Sequence, residues 1–306
     1  MPVVLAPVLL LAMCLVGCTG GSRPDVVVYA AQDRVYAEPL LRQFETDTGL
    51  KVAALYDSEA VKTVGLANRL LAEREHPVAD VFWGNEEFRT RQLAAQQVFL
   101  PTNGWFAFGW RSRRVMINTN QVDLADAPKS LLELTNAVWR GHVALAYPLF
   151  GTTATHFAAL RQHWGDEPWT AWCRGLRAND AFIVDGNSVV ARMVARGEAW
   201  IGLTDSDDFQ VVAGEHATVA ELPLNDESLL IPNTVGIVRN GPHPDAARRL
   251  AEYLSGPNVA RALVEAGALE GADLDNAPAR GLQPDWAELL ANLEDTTRRL
   301  SGLFVR

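Results

Sequence analysis

The chain has 306 residues, 48% of them hydrophobic and 21% charged, with mean hydropathy near zero. That balance excludes both a disordered chain and a multi-span membrane protein, and the length suffices for two domains with their own cores. Twenty-seven Lys and Arg against 37 Asp and Glu leave a formal charge of −10, which excludes non-specific nucleic-acid binding because phosphate contacts need a basic footprint. Any bound anion must be held by a local cluster of donors.

Residues 1–17 contain no charged side chain and end an apolar run too short and too Pro-interrupted to span a membrane, so they read as a secretory signal peptide. The run closes on Leu15-Val16-Gly17-Cys18, followed by Thr19-Gly20-Gly21-Ser22. That tetrapeptide resembles the bacterial lipobox, which implies that Cys18 is lipidated, becomes the mature N-terminus and tethers the protein to a membrane of the cell envelope. Cys14 and Cys18 both lie in this region, so Cys173 alone can form no internal disulfide and reads as a small packed residue.

A strand over 25–30, a helix over 34–48 stopped by Gly49, and a strand over 51–56 form a βαβ unit, the signature of a parallel sheet with a right-handed crossover. The alternation continues with a strand at 79–83, a helix at 86–97 and a strand-rich segment at 105–118 carrying Arg111, Arg113 and Arg114. It restarts with a helix at 130–137, a strand at 142–147, helices at 153–164 and 168–177, a strand at 181–184 and a helix at 188–196. A strand at 199–203 ends in Thr204-Asp205-Ser206-Asp207-Asp208, and a second strand at 229–238 returns to the first lobe. Helices at 244–254, 257–266 and 284–300 close the chain. The expected fold class is α/β with two lobes: 25–117 and 236–306 in the first, 118–235 inserted as the second.

Several blocks carry a resemblance. They are Val26-Val-Val-Tyr29 with Gln32-Asp33 and Tyr36-Ala-Glu-Pro-Leu40, Pro77-Val-Ala-Asp80-Val-Phe-Trp83, Gly109-Trp-Arg-Ser-Arg113, Trp139-Arg-Gly141, Asn187-Ser188-Val189, Arg196-Gly197-Glu198, Ile231-Pro-Asn-Thr234 and Pro242-His-Pro-Asp245. In this order they resemble ferric-iron-type periplasmic substrate-binding proteins over residues 25–265. The resemblance implies a type II periplasmic-binding-protein fold with a ligand cleft between the lobes. It further implies a monomer that captures Fe³⁺ with a synergistic anion and delivers it to an ABC permease, without catalysis and without an organic cofactor.

Carried over residue by residue, the first ligand position falls at Gln32-Asp33 and the glutamate position at Asn85 and Glu86. The two adjacent tyrosines of iron-binding members fall at Asp207-Asp208. The synergistic-anion position falls at Gly151, Thr152 and Thr153, and Asn187-Ser188 opens another helix at a similar place. Asp33, Glu86, Asp205, Asp207 and Asp208 would suit a hard cation through oxygen ligands, or accept hydrogen bonds from the hydroxyls of an organic ligand, or cap and charge-match the following helix. A small organic phosphate or phosphorylated sugar is the alternative cargo, with Thr152, Thr153 and Ser188 on the phosphate. Among enzymes, only a carboxylate-based glycoside hydrolase is compatible with these acids, since no hydrolase, P-loop, zincin or dinucleotide motif occurs. Arg113, His156 and His163 read as surface residues, and Trp83, Trp105 and Trp110 as core packing near the cleft.

Overall fold

The computed structural model describes residues 23–56, 62–215 and 218–305; the expected signal peptide and Cys18 lie outside them. The first βαβ unit is β1 (Val26–Ala30), α1 (Arg34–Thr48) and β2 (Val52–Tyr56), with β1 and β2 parallel. Gly49 ends α1 in the left-handed region at φ 73°, donating its N–H to the Glu45 carbonyl. Next come α2 (Lys62–Ala72), β3 (Val81–Gly84), α3 (Glu87–Ala95) and the 14-residue β4 (Trp105–Asn118). Helix α2 is absent from the sequence reading, although Leu66, Ala67 and Leu70 bury one face of it.

The expected helix at 130–137 is instead a pair of 3₁₀ turns, Leu131–Thr135 and Ala137–Trp139. Leu131 and Leu134 are buried at i,i+3, the spacing that a three-residue turn eclipses. The chain continues through β5 (Val143–Ala146), α4 (Gly151–Trp164), α5 (Asp166–Ala178), β6 (Phe182–Val184), α6 (Asn187–Ala195), β7 (Ile201–Asp205), α7 (Ser206–Glu215) and β8 (Val219–Glu221). It ends with β9 (Leu230–Ile237), α8 (Pro244–Leu254), α9 (Pro257–Glu265), α10 (Trp286–Ala291) and α11 (Leu293–Phe304). The single C-terminal helix expected at 284–300 is broken at Asn292.

The strands follow the order β2-β1-β3-β9-β4-β7-β5-β6, with β8 also on β4. Strand β4 ties the halves together. The first half of β4 pairs with β9 from Trp105↔Gly236 to Ser112↔Leu230, while its second half pairs with β7 from Arg113↔Asp205 to Ile117↔Ile201. Between Phe108 and Trp110 the β4–β9 register shifts at Gly109, whose φ of 52° and whose closeness to Leu269 (a Cβ would lie 2.5 Å from Cδ1) admit only glycine without strain.

Each half of the sheet is covered on both faces, as buried parallel strands require. On the first, α1, α8 and α9 cover one face (Leu41, Phe44, Leu250, Leu263), and α2 and α3 the other (Leu66, Leu70, Leu93). On the second, α6 and α7 cover one face through Val190, Val194 and Phe209. The opposite face holds α4 and α5 with Phe157, Trp169, Trp172 and Cys173, and Leu289, Leu300 and Phe304 of α10 and α11 lie in the same apolar cluster. The last two helices therefore pack away from α8 and α9, with which the sequence reading grouped them. Trp286 at the start of α10 reaches back to α3, its ring 5.1 Å from the Arg91 guanidinium.

Candidate functional site

Arg111 and Arg113 stand two apart on β4, so both leave the same face where the strand passes from β9 to β7. Both are buried, and a buried guanidinium must be paired. Arg113 lies opposite Asp205 in the β4–β7 register and reaches its Oδ1 at 2.6 Å. It also donates to the Leu203 carbonyl at 3.2 Å, to Asn187 Oδ1 at 2.9 Å and to His156 Nδ1 at 3.4 Å.

The other oxygen of Asp205 accepts from Thr152 Oγ1 at 2.7 Å and from Asn187 Nδ2 at 3.1 Å, and Arg111 lies 3.5 Å away. The end of β7 and the starts of α4 and α6 thus converge on one carboxylate. Burial alone would raise the Asp205 pKa, but the Arg113 and Arg111 charges prevail and hold it below the usual carboxylate range.

His156 is buried rather than exposed, on the face of α4 that meets Arg113. Because Arg113 can only donate, Nδ1 accepts, and Nε2–H donates to the Glu227 carbonyl at 2.7 Å. Burial, reinforced by the Arg113 charge, pushes the imidazole pKa down to about 3.

Asp207 and Asp208 fall in the first turn of α7. Arg111 pairs with Asp207 and also donates to the Asn85 carbonyl at 3.2 Å, linking the β3–α3 turn to α7. One ligand oxygen from each of Asp205, Asp207 and Asp208 lies within 4.8 Å of the others. Burial, partly opposed by Arg111, lifts Asp207 to about 6. Burial and the charges of Asp207, Asp205 and Asp33 lift Asp208 well above the carboxylate range. Tyr36, from the first turn of α1, joins the same group: burial, then the charges of Asp207, Asp33 and Asp208, push its phenol up to about 12.

Three carboxylates of the β7–α7 turn, Asp205, Asp207 and Asp208, therefore share the charges of Arg111 and Arg113. Buried polar atoms also remain unpaired here: Asp207 Oδ1, Arg111 Nε, Gln32 Nε2 and Asn233 Oδ1. Asn233 Nδ2 donates to Gln32 Oε1 at 2.9 Å, which leaves Gln32 Nε2 and Asn233 Oδ1 without partners, and the β4–β9 register puts Asn233 on the same face as Arg111.

Other candidates have different partners. Glu86 caps α3, accepting from the backbone N–H of Phe88 at 2.7 Å and of Arg89 at 3.0 Å and from Thr155 Oγ1 at 3.1 Å. Its carboxylate is thereby turned into the helix start. Ser188 Oγ accepts from Arg192 at 3.2 Å, and Thr153 donates to Asn187 Oδ1 at 3.2 Å. Gly151, at φ 55°, shapes the entry to α4. Of the tryptophans, Trp83 is fully buried in the core. The sequence reading assigns no functional role to Tyr36, Arg111 or Asn233 and places the buried His156 on the surface. The available signal was the i,i+2 spacing of Arg111 and Arg113 in an otherwise apolar strand.

A family model described as bacterial extracellular solute-binding protein matches residues 26–268. A major ferric iron-binding protein of Neisseria gonorrhoeae is 24% identical over 278 residues, covering 83% of this chain and 82% of that protein. Among solved structures, iron-bound HitA from Pseudomonas aeruginosa superposes with a TM-score of 0.78 at 19% identity, covering 92% of this chain and 99% of that one. AfuA from Actinobacillus pleuropneumoniae, solved with exogenous fructose-6-phosphate bound, gives a TM-score of 0.74 at 17% identity, covering 92% and 97%. These likenesses bear out the two-lobed α/β fold.

The depressed His156 pKa carries a sign. Below its ordinary value near 6.5 the unfolded chain takes up a proton that the folded chain refuses, so stability falls as pH drops from 6.5 toward 3. The limiting slope is about 1.4 kcal/mol per pH unit. Denaturant unfolding across that window is expected to show a shallower loss in His156→Gln than in wild type; parallel profiles would contradict the buried neutral imidazole.

Proposed function

The chain belongs to the bacterial extracellular solute-binding protein family, and on that premise we propose that it captures ferric iron in the cell envelope for an ABC permease. The observation that carries this reading is the charge imbalance at the β7–α7 turn. Three carboxylates of the turn against two guanidiniums attract a cation, and Asp207 and Asp208, with Asp33 nearby, offer the hard oxygen ligands that Fe³⁺ prefers. Tyr36 adds a phenol on the side of α1. Capture is binding by lobe closure, with Asp33 and Tyr36 brought by the first lobe and Asp207 and Asp208 by the second. The names of the ferric-binding relatives support the same cargo.

A phosphorylated sugar would meet surplus negative charge, and the hydroxyl and amide expected to cradle its phosphate are turned to Asp205. The acids need no turnover to explain them, so no catalysis is assigned. The protein acts as a monomer tethered through lipidated Cys18, which keeps the binder near its permease.

Two experiments test these readings. In the soluble form starting at Thr19, the double change Asp207→Asn, Asp208→Asn is expected to weaken Fe³⁺ binding at least about 100-fold, or 2.7 kcal/mol; unchanged affinity by competition titration would remove these carboxylates from the ligand set. In the full-length chain, Cys18→Ala is expected to move the protein from the membrane to the soluble fraction, and continued membrane attachment sinks the lipid anchor.

A further inference from the structure

Anion sites form where helix starts, hydroxyls and a guanidinium converge, because each directs positive charge or an O–H or N–H donor at one point. The meeting of α4, α6 and β4 has all three: Thr152 in the first turn of α4, Asn187 at the start of α6, and Arg113 on β4. The carboxylate among them belongs to the chain. Asp205 Oδ2 takes the Thr152 hydroxyl at 2.7 Å and the Asn187 amide at 3.1 Å, and Oδ1 takes Arg113 at 2.6 Å. Thr153 holds Asn187 in that orientation, donating to its Oδ1 at 3.2 Å. Asp205 is 2% exposed, Arg113 1% and Thr152 4%, so this donor set is enclosed.

We propose that Asp205 is a resident anion, permanently filling a donor set that would otherwise draw an inorganic oxyanion from solution, so that cation capture at Asp207 and Asp208 needs no free phosphate or carbonate. Two features support it. The donors that face Asp205 are consumed by it, and a second oxyanion there would meet the fixed carboxylate charge. Arg111 lies beside both Asp205 and Asp207, so the filled donor set is electrostatically joined to the cation-attracting acids. The iron arm of this inference rests on the ferric reading; the anion arm does not.

The test compares wild type, Asp205→Ala and Asp205→Asn in the soluble form. Asp205→Ala removes the carboxylate and leaves Arg113, Thr152 and Asn187 facing a space, whereas Asp205→Asn fills that space without charge. Thermal midpoints are read against inorganic phosphate, and Fe³⁺ affinity is read with and without it. Asp205→Ala is expected to melt below wild type and to recover with phosphate in a saturable manner. Its Fe³⁺ affinity is expected to rise about tenfold or more when phosphate is added. Wild type and Asp205→Asn are expected to show neither response.

A tenfold phosphate dependence of Fe³⁺ affinity in wild type overturns the proposal, as does a folded Asp205→Ala that ignores phosphate. If Asp205→Ala does not fold, the wild-type titration decides alone. A wild type that takes no Fe³⁺ contradicts the ferric reading while leaving the phosphate response of Asp205→Ala to judge the resident anion.

Discussion

The contact on which the site depends is the ion pair of Arg113 and Asp205 across the β4–β7 ladder. Both groups are buried, so the pair depends on hydrogen bonds to its remaining donors and acceptors. Arg113 is satisfied by Leu203, Asn187 and His156, and Asp205 by Thr152 and Asn187. This network fixes where α4 and α6 begin relative to β7. It thereby fixes the first turn of α7, which carries Asp207 and Asp208. Removing one partner would leave an uncompensated buried charge, a defect of about 3–5 kcal/mol.

Beside this balanced network sits an unbalanced one. Asp207 has one oxygen on Arg111 and one unpaired, and Asp208 and Tyr36 are raised by burial and by neighbouring negative charge. A cation seated among these oxygens would give the unpaired Asp207 oxygen a partner. The strand passing between lobes positions both networks: β4 presents Arg113 to the balanced one and Arg111 to the other. Toward the opposite side, Ser112 and Arg114 both bond Glu270, which ties the segment after α9 to the same crossing.

Local chemistry made much of the fold legible. Gly49 stops α1, the β-branched run at 26–28 makes β1, and the acids after β7 stand at a helix start, each as neighbouring residues dictate. What escaped depends on distant pairing. Arg113 reads as an ordinary strand arginine until Asp205 is placed opposite it, and His156 as a surface histidine until α4 is packed on β4. Tyr36 lies three residues from Asp33, but its other acidic neighbours come from α7, which no local pattern connects to α1. Thr152 and Asn187 stand at helix starts, where the sequence reading expects them to hold an anion, and the acceptor they meet is the chain's own Asp205 carboxylate. Glu86, placed by family position at a ligand site, serves the more local need of capping α3. The break at Asn292 and the packing of the last helices on Phe157 and Trp172 likewise follow from tertiary contacts.

On the proposed reading, a carboxylate-rich turn more negative than its two arginines can balance selects a ferric cation over a phosphorylated organic anion. A thermal-shift comparison of the soluble form starting at Thr19, with chelated Fe³⁺ in one arm and sugar phosphates in the other, tests it most directly. A ligand at 100 times its Kd adds about 2.7 kcal/mol, enough to raise the midpoint by a few degrees in a chain of this size. A rise with Fe³⁺ and none with the phosphates is expected; a rise with a sugar phosphate and none with Fe³⁺ would overturn the ferric reading.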